Sequence, residues 1–157
     1  MKVADFWQDF LRDTGLDKNT SYSDCYYFAL NEEIANSLLE LVLSGKKQAT
    51  ASSLLAYEKE QAPLPQVGEY SVITDFDGEP WCVVQTKQVR VIPFNEMTFV
   101  ICQAEGEDEN LASWKNGHRK FFNSEGETLG YQFTETMPIV FENFKMIYRR
   151  FDKSSLD

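Results

Sequence analysis

Apolar residues at Val3, Phe6, Trp7, Phe10 and Leu11 recur at the spacing of one helix face, and Thr14-Gly15 supplies a stop. The pattern predicts a short amphipathic helix over 3–14. A polar, turn-like stretch follows, and then Cys25-Tyr26-Tyr27-Phe28-Ala29-Leu30 forms a compact apolar run of strand length. Asn31 suits the N-cap of a second helix, with Glu32 and Glu33 in its first turn and Ile34, Leu38, Leu41 and Val42 on its inward face. Gly45 stands where a left-handed C-terminal cap is wanted. Residues 54–60 read as a third helix, closed by Pro63 and Pro65.

Beyond the prolines the period changes. Residues 70–76 and 81–92 are strand-like, separated by Asp77-Gly78-Glu79-Pro80, whose Asp-Gly is a strong hairpin signal. The second strand is long enough to be expected to bend or bulge. Residues 96–104 predict a short helix with Met97, Val100 and Ile101 inward, followed by an acidic cluster of Glu105, Glu107, Asp108 and Glu109. Leu111, Trp114, His118, Phe121 and Phe122 then mark one face of another helix. Residues 124–130 read as a glycine-bearing loop, 131–134 as a short strand, and 138–150 as an alternating strand with Pro138 at its first position. The tail from about Asp152 is expected to fray. The expected architecture is α+β, a single domain over residues 1–157 whose strands close across a long sequence separation, with the helix 3–14 packed on it.

Composition narrows the function. With 43% hydrophobic and 25% charged residues the chain is of the globular kind, and a net charge of −10 opposes duplex DNA, whose affinity comes from Lys and Arg displacing counterions. Cys25, Cys82 and Cys102 form no Cys-x-x-Cys pair and are expected as buried thiols. An acidic residue at position 5 and the lack of any long apolar run argue against a secretory leader or a membrane span, so a cytoplasmic location is expected. One histidine, His118, excludes a histidine-rich metal site, and no metal or cofactor is expected. Oligomeric state has no sequence signal.

Candidate chemistry concentrates in Ser44-Gly45-Lys46-Lys47-Gln48-Ala49-Thr50-Ala51-Ser52-Ser53. One reading is a helix stop, with Gly as cap and Lys at the negative end of the dipole. The other brings Lys47 and Thr50 together on a substrate, an amine beside a hydroxyl nucleophile. Likewise, His118 on an apolar face is either a packed, hydrogen-bonded residue or a ligand.

Taken in order, Leu41 to Ser52, Pro63-Leu64-Pro65-Gln66-Val67-Gly68-Glu69-Tyr70, Val91-Ile92-Pro93-Phe94, Ala104-Glu105-Gly106-Glu107 and Trp114 to Phe122 resemble the ASCH domain family, over about residues 25–150. The resemblance implies a PUA-like fold, a small β-barrel decorated by helices, with a cleft that takes a nucleoside or RNA. Some small members are amidohydrolases that remove the acetyl group of N4-acetylcytidine with a Thr, a Lys and a Glu. On this chain those would be Thr50 as nucleophile, Lys47 as activating amine and either Glu105 or Glu107 as acid/base, with backbone N–H groups near Ala51, Ser52 and Ser53 holding the oxyanion. The alternative is a non-catalytic RNA-binding module in which Lys46, Lys47, His118, Arg119 and Lys120 ring the cleft and Trp114 or Tyr57 stacks on a base. A ribonuclease using His118 is a third reading.

Overall fold

In the computed structural model, residues 1–28 and 31–150 are described, so Ala29, Leu30 and the tail expected to fray lie outside the description. Helix α1 (Val3–Thr14) buries Phe6, Trp7, Phe10 and Leu11 against Val72 and Val83 of the sheet. Gly15, at φ 72°, ends it with a bond from its N–H to the Leu11 carbonyl. The apolar run after it gives only a three-residue strand, β1 (Asp24–Tyr26), because Phe28 turns instead into a core with Leu39, Val42 and Ile73.

Asn31 caps α2 (Glu32–Leu43), its side chain accepting from the Ile34 N–H at 2.9 Å. The buried face is Ala35, Leu39 and Val42, so Ile34, expected inward, stands on the surface side of the stripe. Strand β2 (Ala49–Ser53) follows the Gly45 reversal, and Ser53 caps α3 (Leu54–Glu60) by accepting from the Leu55 N–H. Strands β3 (Tyr70–Thr74) and β4 (Pro80–Pro93) form the expected hairpin, with Gly78 at φ 85°.

The helix expected over 96–104 is instead a broken segment. Only α4 (Phe99–Cys102) is α-helical, with 3-10 turns at Phe94–Glu96 and Gln103–Glu105; Met97 and Cys102 are buried, whereas Val100, expected inward, is largely exposed. Asn110 caps α5 (Leu111–Leu129) by accepting from the Ser113 N–H. This helix runs through the stretch expected as a loop. Gly126 sits inside it because the Tyr131 carbonyl lies 2.4 Å from where a Cβ would be, and Gly130, at φ 88°, is the true stop. Residues 131–134 form no strand; the Tyr131 N–H closes back on the Gly126 carbonyl instead. The last strand is β5 (Pro138–Arg149).

The five strands make one mixed sheet in the order β1-β3-β4-β5-β2, with β1 parallel to β3 and the other pairs antiparallel. Register shifts at Val83/Val84 and Thr86/Gln88 supply the bulges expected of so long a β4 and help curl the sheet. The result is α+β, a half-barrel whose edges, β1 and β2, are not paired with each other. No described helix is long and apolar enough to cross a membrane. Cys82 and Cys102 are buried free thiols and Cys25 is half-buried.

Candidate active-site cleft

The reversal at Gly45, φ 83°, lets the Lys46 and Lys47 N–H groups bond the Leu41 carbonyl and turns the Lys47 side chain inward until it is 2% exposed. Its Nζ donates to the Ala49 carbonyl at 2.8 Å and to Glu107 Oε2 at 2.7 Å, lies 3.6 Å from Glu105 Oε2, and sits 5.1 Å from the centre of the Phe28 ring. One ammonium thus ties the start of β2 to the acidic segment. The backbones meet as closely: the Gln48 N–H donates to the Ala104 carbonyl at 2.7 Å, and a Cβ on Gly106, φ 71°, would lie 2.3 Å from the Lys46 carbonyl oxygen.

Glu105 is 2% exposed and held from two sides. Its Oε1 accepts from Trp114 Nε1 at 3.0 Å, and its Oε2 lies 3.4 Å from His118 Nε2. His118 Nδ1 is 2.8 Å from the Trp114 carbonyl, which can only accept, so that nitrogen carries a proton and Nε2 faces a carboxylate. A second proton on the ring converts that contact into an ion pair. Burial works against the imidazolium, but the hydrogen bond and charge of Glu105 outweigh it and raise the His118 pKa.

The two carboxylates of this cluster are driven apart. Burial penalises an ionised Glu105, yet the His118 hydrogen bond and the Lys47 charge overcome the penalty and bring its pKa down to about 2. For Glu107, burial is the largest influence and the neighbouring Glu105 adds to it; Lys47 offsets them only in part, leaving the group at about 7. Lys47 can donate to Glu107 in either protonation state, so the 2.7 Å contact survives titration. The pair therefore holds one fixed negative charge and one proton that moves near neutrality.

Thr50, Lys47, Glu105, Glu107, His118 and Lys120 all line one cavity of about 530 Å³, walled on its apolar side by Phe28, Leu38 and Phe121. The chemistry-bearing residues expected from the sequence do converge there. Others do not. Trp114 is fully buried, stacked on His118 at 4.0 Å and on Phe94, so it braces the site and offers no face to a base. Ser53 is interior, its hydroxyl donating to Met137 Sδ. Lys46 is exposed and contributes its carbonyl to the Gly106 contact. Arg119 pairs with Glu135 at 2.7 Å and lies over the Phe94 ring, away from the cavity. Ser52 and Tyr57 line a second cavity of about 450 Å³, which Thr50 also borders.

That second cavity lies between the unpaired edges, touched by Asp24 and Tyr26 of β1 and by Thr50 and Ser52 of β2. Sequence reading missed its principal carboxylate. Glu142 of β5 is 8% exposed, accepts from the Thr86 hydroxyl at 2.6 Å, and is the register partner of Thr50, which puts the two side chains on one face of the sheet. The only available signal was a lone acid in an otherwise apolar strand, Pro138-Ile139-Val140-Phe141-Glu142.

Comparison with known proteins agrees with this fold. A family model described as the ASCH domain matches residues 24–148. The crystal structure of protein EF3133 from Enterococcus faecalis V583, of family DUF984, superposes with a TM-score of 0.89 at 34% identity, over 98% of this chain and 92% of that one. An ASCH domain from Lactobacillus crispatus JV V101 gives 0.81 at 32% identity, over 90% and 94%. A ZmASCH variant from Zymomonas mobilis gives 0.50 at 12% identity, over 85% and 76%, a likeness of fold alone. No curated protein matches the chain.

Proposed function

The chain belongs to the ASCH domain family, and we propose that it is a hydrolase that removes an acyl group from the exocyclic amine of a modified nucleoside of the N4-acetylcytidine type. The observation that carries this reading is the convergence of Thr50, Glu105 and Glu107 with a buried lysine on one cavity, Lys47 Nζ lying 2.7 Å from Glu107 and 3.6 Å from Glu105; the surroundings lower the Glu105 pKa and raise that of Glu107. A group whose pKa is raised toward the working pH is suited to pass a proton in both directions, and the Glu105 carboxylate holds the lysine and histidine in place.

In the proposed reaction, Thr50 Oγ1 bonds to the acyl carbon while its proton passes to the carboxylate of Glu107. The C–N bond then breaks, and the protonated carboxyl of Glu107 returns that proton to the departing amine. Water attacks the resulting threonyl ester, giving up a proton through Glu107, and acid and free Thr50 are released. Lys47, whose Nζ donates to Glu107 and to the Ala49 carbonyl, orients the acid/base and supplies positive charge as the oxyanion forms. Glu105 positions Lys47 and His118 and moves no proton itself.

Incubation with N4-acetylcytidine, with cytidine release followed by chromatography, tests the reading. Release by the native protein and a loss of at least about a hundredfold in Thr50→Ala is the expected result. No release at high enzyme concentration would contradict it. The RNA-binding alternative has less support, because Trp114 is buried and Arg119 is paired elsewhere, leaving only Lys120 and the paired Lys47 and His118 as cations of the cavity. The ribonuclease reading needs a free imidazole, and both nitrogens of His118 are occupied.

A further inference from the structure

The cavity between the sheet edges differs in kind from the cleft. Its described lining carries five carboxylates, Asp24, Glu60, Glu69, Glu125 and Glu142, and no Lys, Arg or His. Such a surface repels phosphate. One further side chain points to a ligand: Ser71, on β3, is only 7% exposed, lines the cavity, and its hydroxyl has no hydrogen-bond partner among the described residues. That hydroxyl borders the cavity and is available to a ligand there. Glu142 at the back has one oxygen bonded by Thr86 and no ion-pair partner among the described residues. Burial raises its pKa, the Thr86 bond opposes this, and the charges of Glu69 and Asp24 add to it. Tyr57 and the Pro63-Leu64-Pro65 segment provide an aromatic and apolar wall.

We infer that this cavity is a binding site for an organic amine in its ammonium form, with the charge held by Asp24, Glu69 and Glu142, a hydrogen bond to Ser71, and the alkyl chain against Tyr57 and the proline segment. An ammonium held between carboxylates is a stable arrangement that no anion shares. The volume of about 450 Å³ suits a small ligand. Because Thr50 borders both cavities, an amine here lies next to the proposed nucleophile. In that respect the inference rests on the hydrolase reading and extends it to amides whose amine half bears a second, cationic nitrogen; the binding site itself does not depend on it.

The test is calorimetric titration of the full chain with spermidine and with 1,4-diaminobutane at physiological salt. The native protein is expected to bind saturably at one site, Asp24→Asn and Glu69→Gln to weaken binding by about tenfold each, and Glu33→Gln, on the exposed face of α2, to leave it unchanged. An equal response of all three variants would mean general attraction to a chain of net charge −10 and would overturn the inference, as would no saturable binding at millimolar amine. Ser71→Ala provides a check free of charge effects: it removes a hydrogen bond and is expected to weaken binding by several-fold, and unchanged affinity there would remove Ser71 from the site. Hydrolysis of N4-acetylcytidine with no amine binding would leave the hydrolase reading standing and this inference refuted; amine binding without hydrolysis would do the reverse.

Discussion

Glu105 and Glu107 are separated by one glycine and differ in role because of what surrounds each. The fold gives Glu105 an indole N–H, the His118 ring and the Lys47 side chain, and gives Glu107 burial beside another carboxylate. The sequence placed both near Lys47 in function and left their roles open, since the environment that separates them comes from α5 and from the reversal at Gly45. The sign of the pH effect follows. Glu107 is raised from 4.5 to about 7, so its contribution to stability is present below about pH 4.5 and is lost as pH rises through about 7. Thermal unfolding is therefore expected to show a loss on the order of 1–3 kcal/mol between pH 5 and 8, reduced in Glu107→Gln. His118, also raised, acts in the same direction. For catalysis, kcat/KM is expected to climb through about pH 7 as Glu107 ionises, and Glu107→Gln to abolish that limb. Glu105→Gln removes the carboxylate that buried His118 and Lys47 share and leaves Lys47 with Glu107 alone, and a cost of about 3–5 kcal/mol in denaturant unfolding is expected.

At the scale of elements, α1, α2 and the hairpin followed from local signals that the structure repeats: Asn31 as a cap, Gly15 and Gly45 at left-handed φ, Asp77-Gly78 as a turn. Strand β2 did not. Ala-Thr-Ala-Ser-Ser carries no alternating apolar pattern, and it is a strand because Phe141 and Asn143, some ninety residues away, pair with it. The extension of α5 through Gly126 was hidden for a related reason, a glycine selected by contact with Tyr131 and not by a turn. Gly106 joins two elements: φ 71° and a Cβ position 2.3 Å from the Lys46 carbonyl leave no room for a side chain. Gly106→Ala is expected to cost about 1–3 kcal/mol and, by pushing Glu107 off Lys47, to lower activity more than a surface change of equal destabilisation. Asn110→Ala, which removes a cap far from any proton transfer, is expected to cost about 1 kcal/mol with kcat unchanged; a matching loss of kcat would mean that α5 sets the His118 position through its N-terminus.

The whole molecule is a half-barrel whose open side holds the candidate site. Pairing ends at β1 and β2, one cavity occupies the gap between these edges, and the other lies where β2 meets α2, the acidic segment and α5. Thr50 stands on the edge strand between them, reachable from both. Charge is divided accordingly, with cations confined to the Lys47 side and carboxylates alone on the other. Net composition reported the acidic excess and not its segregation, which is a property of the fold. The central claim is that Thr50 accepts the acyl group. The most direct test is to mix the native protein with excess N4-acetylcytidine, quench with acid during turnover and map peptide masses. The peptide containing Thr50 is expected to be heavier by one acetyl group, and the Glu107→Gln protein, which lacks the group that takes the Thr50 proton, is expected to show far less of it. Cytidine release by the native enzyme with no acetyl on Thr50, and full turnover by Thr50→Ala, would contradict the account.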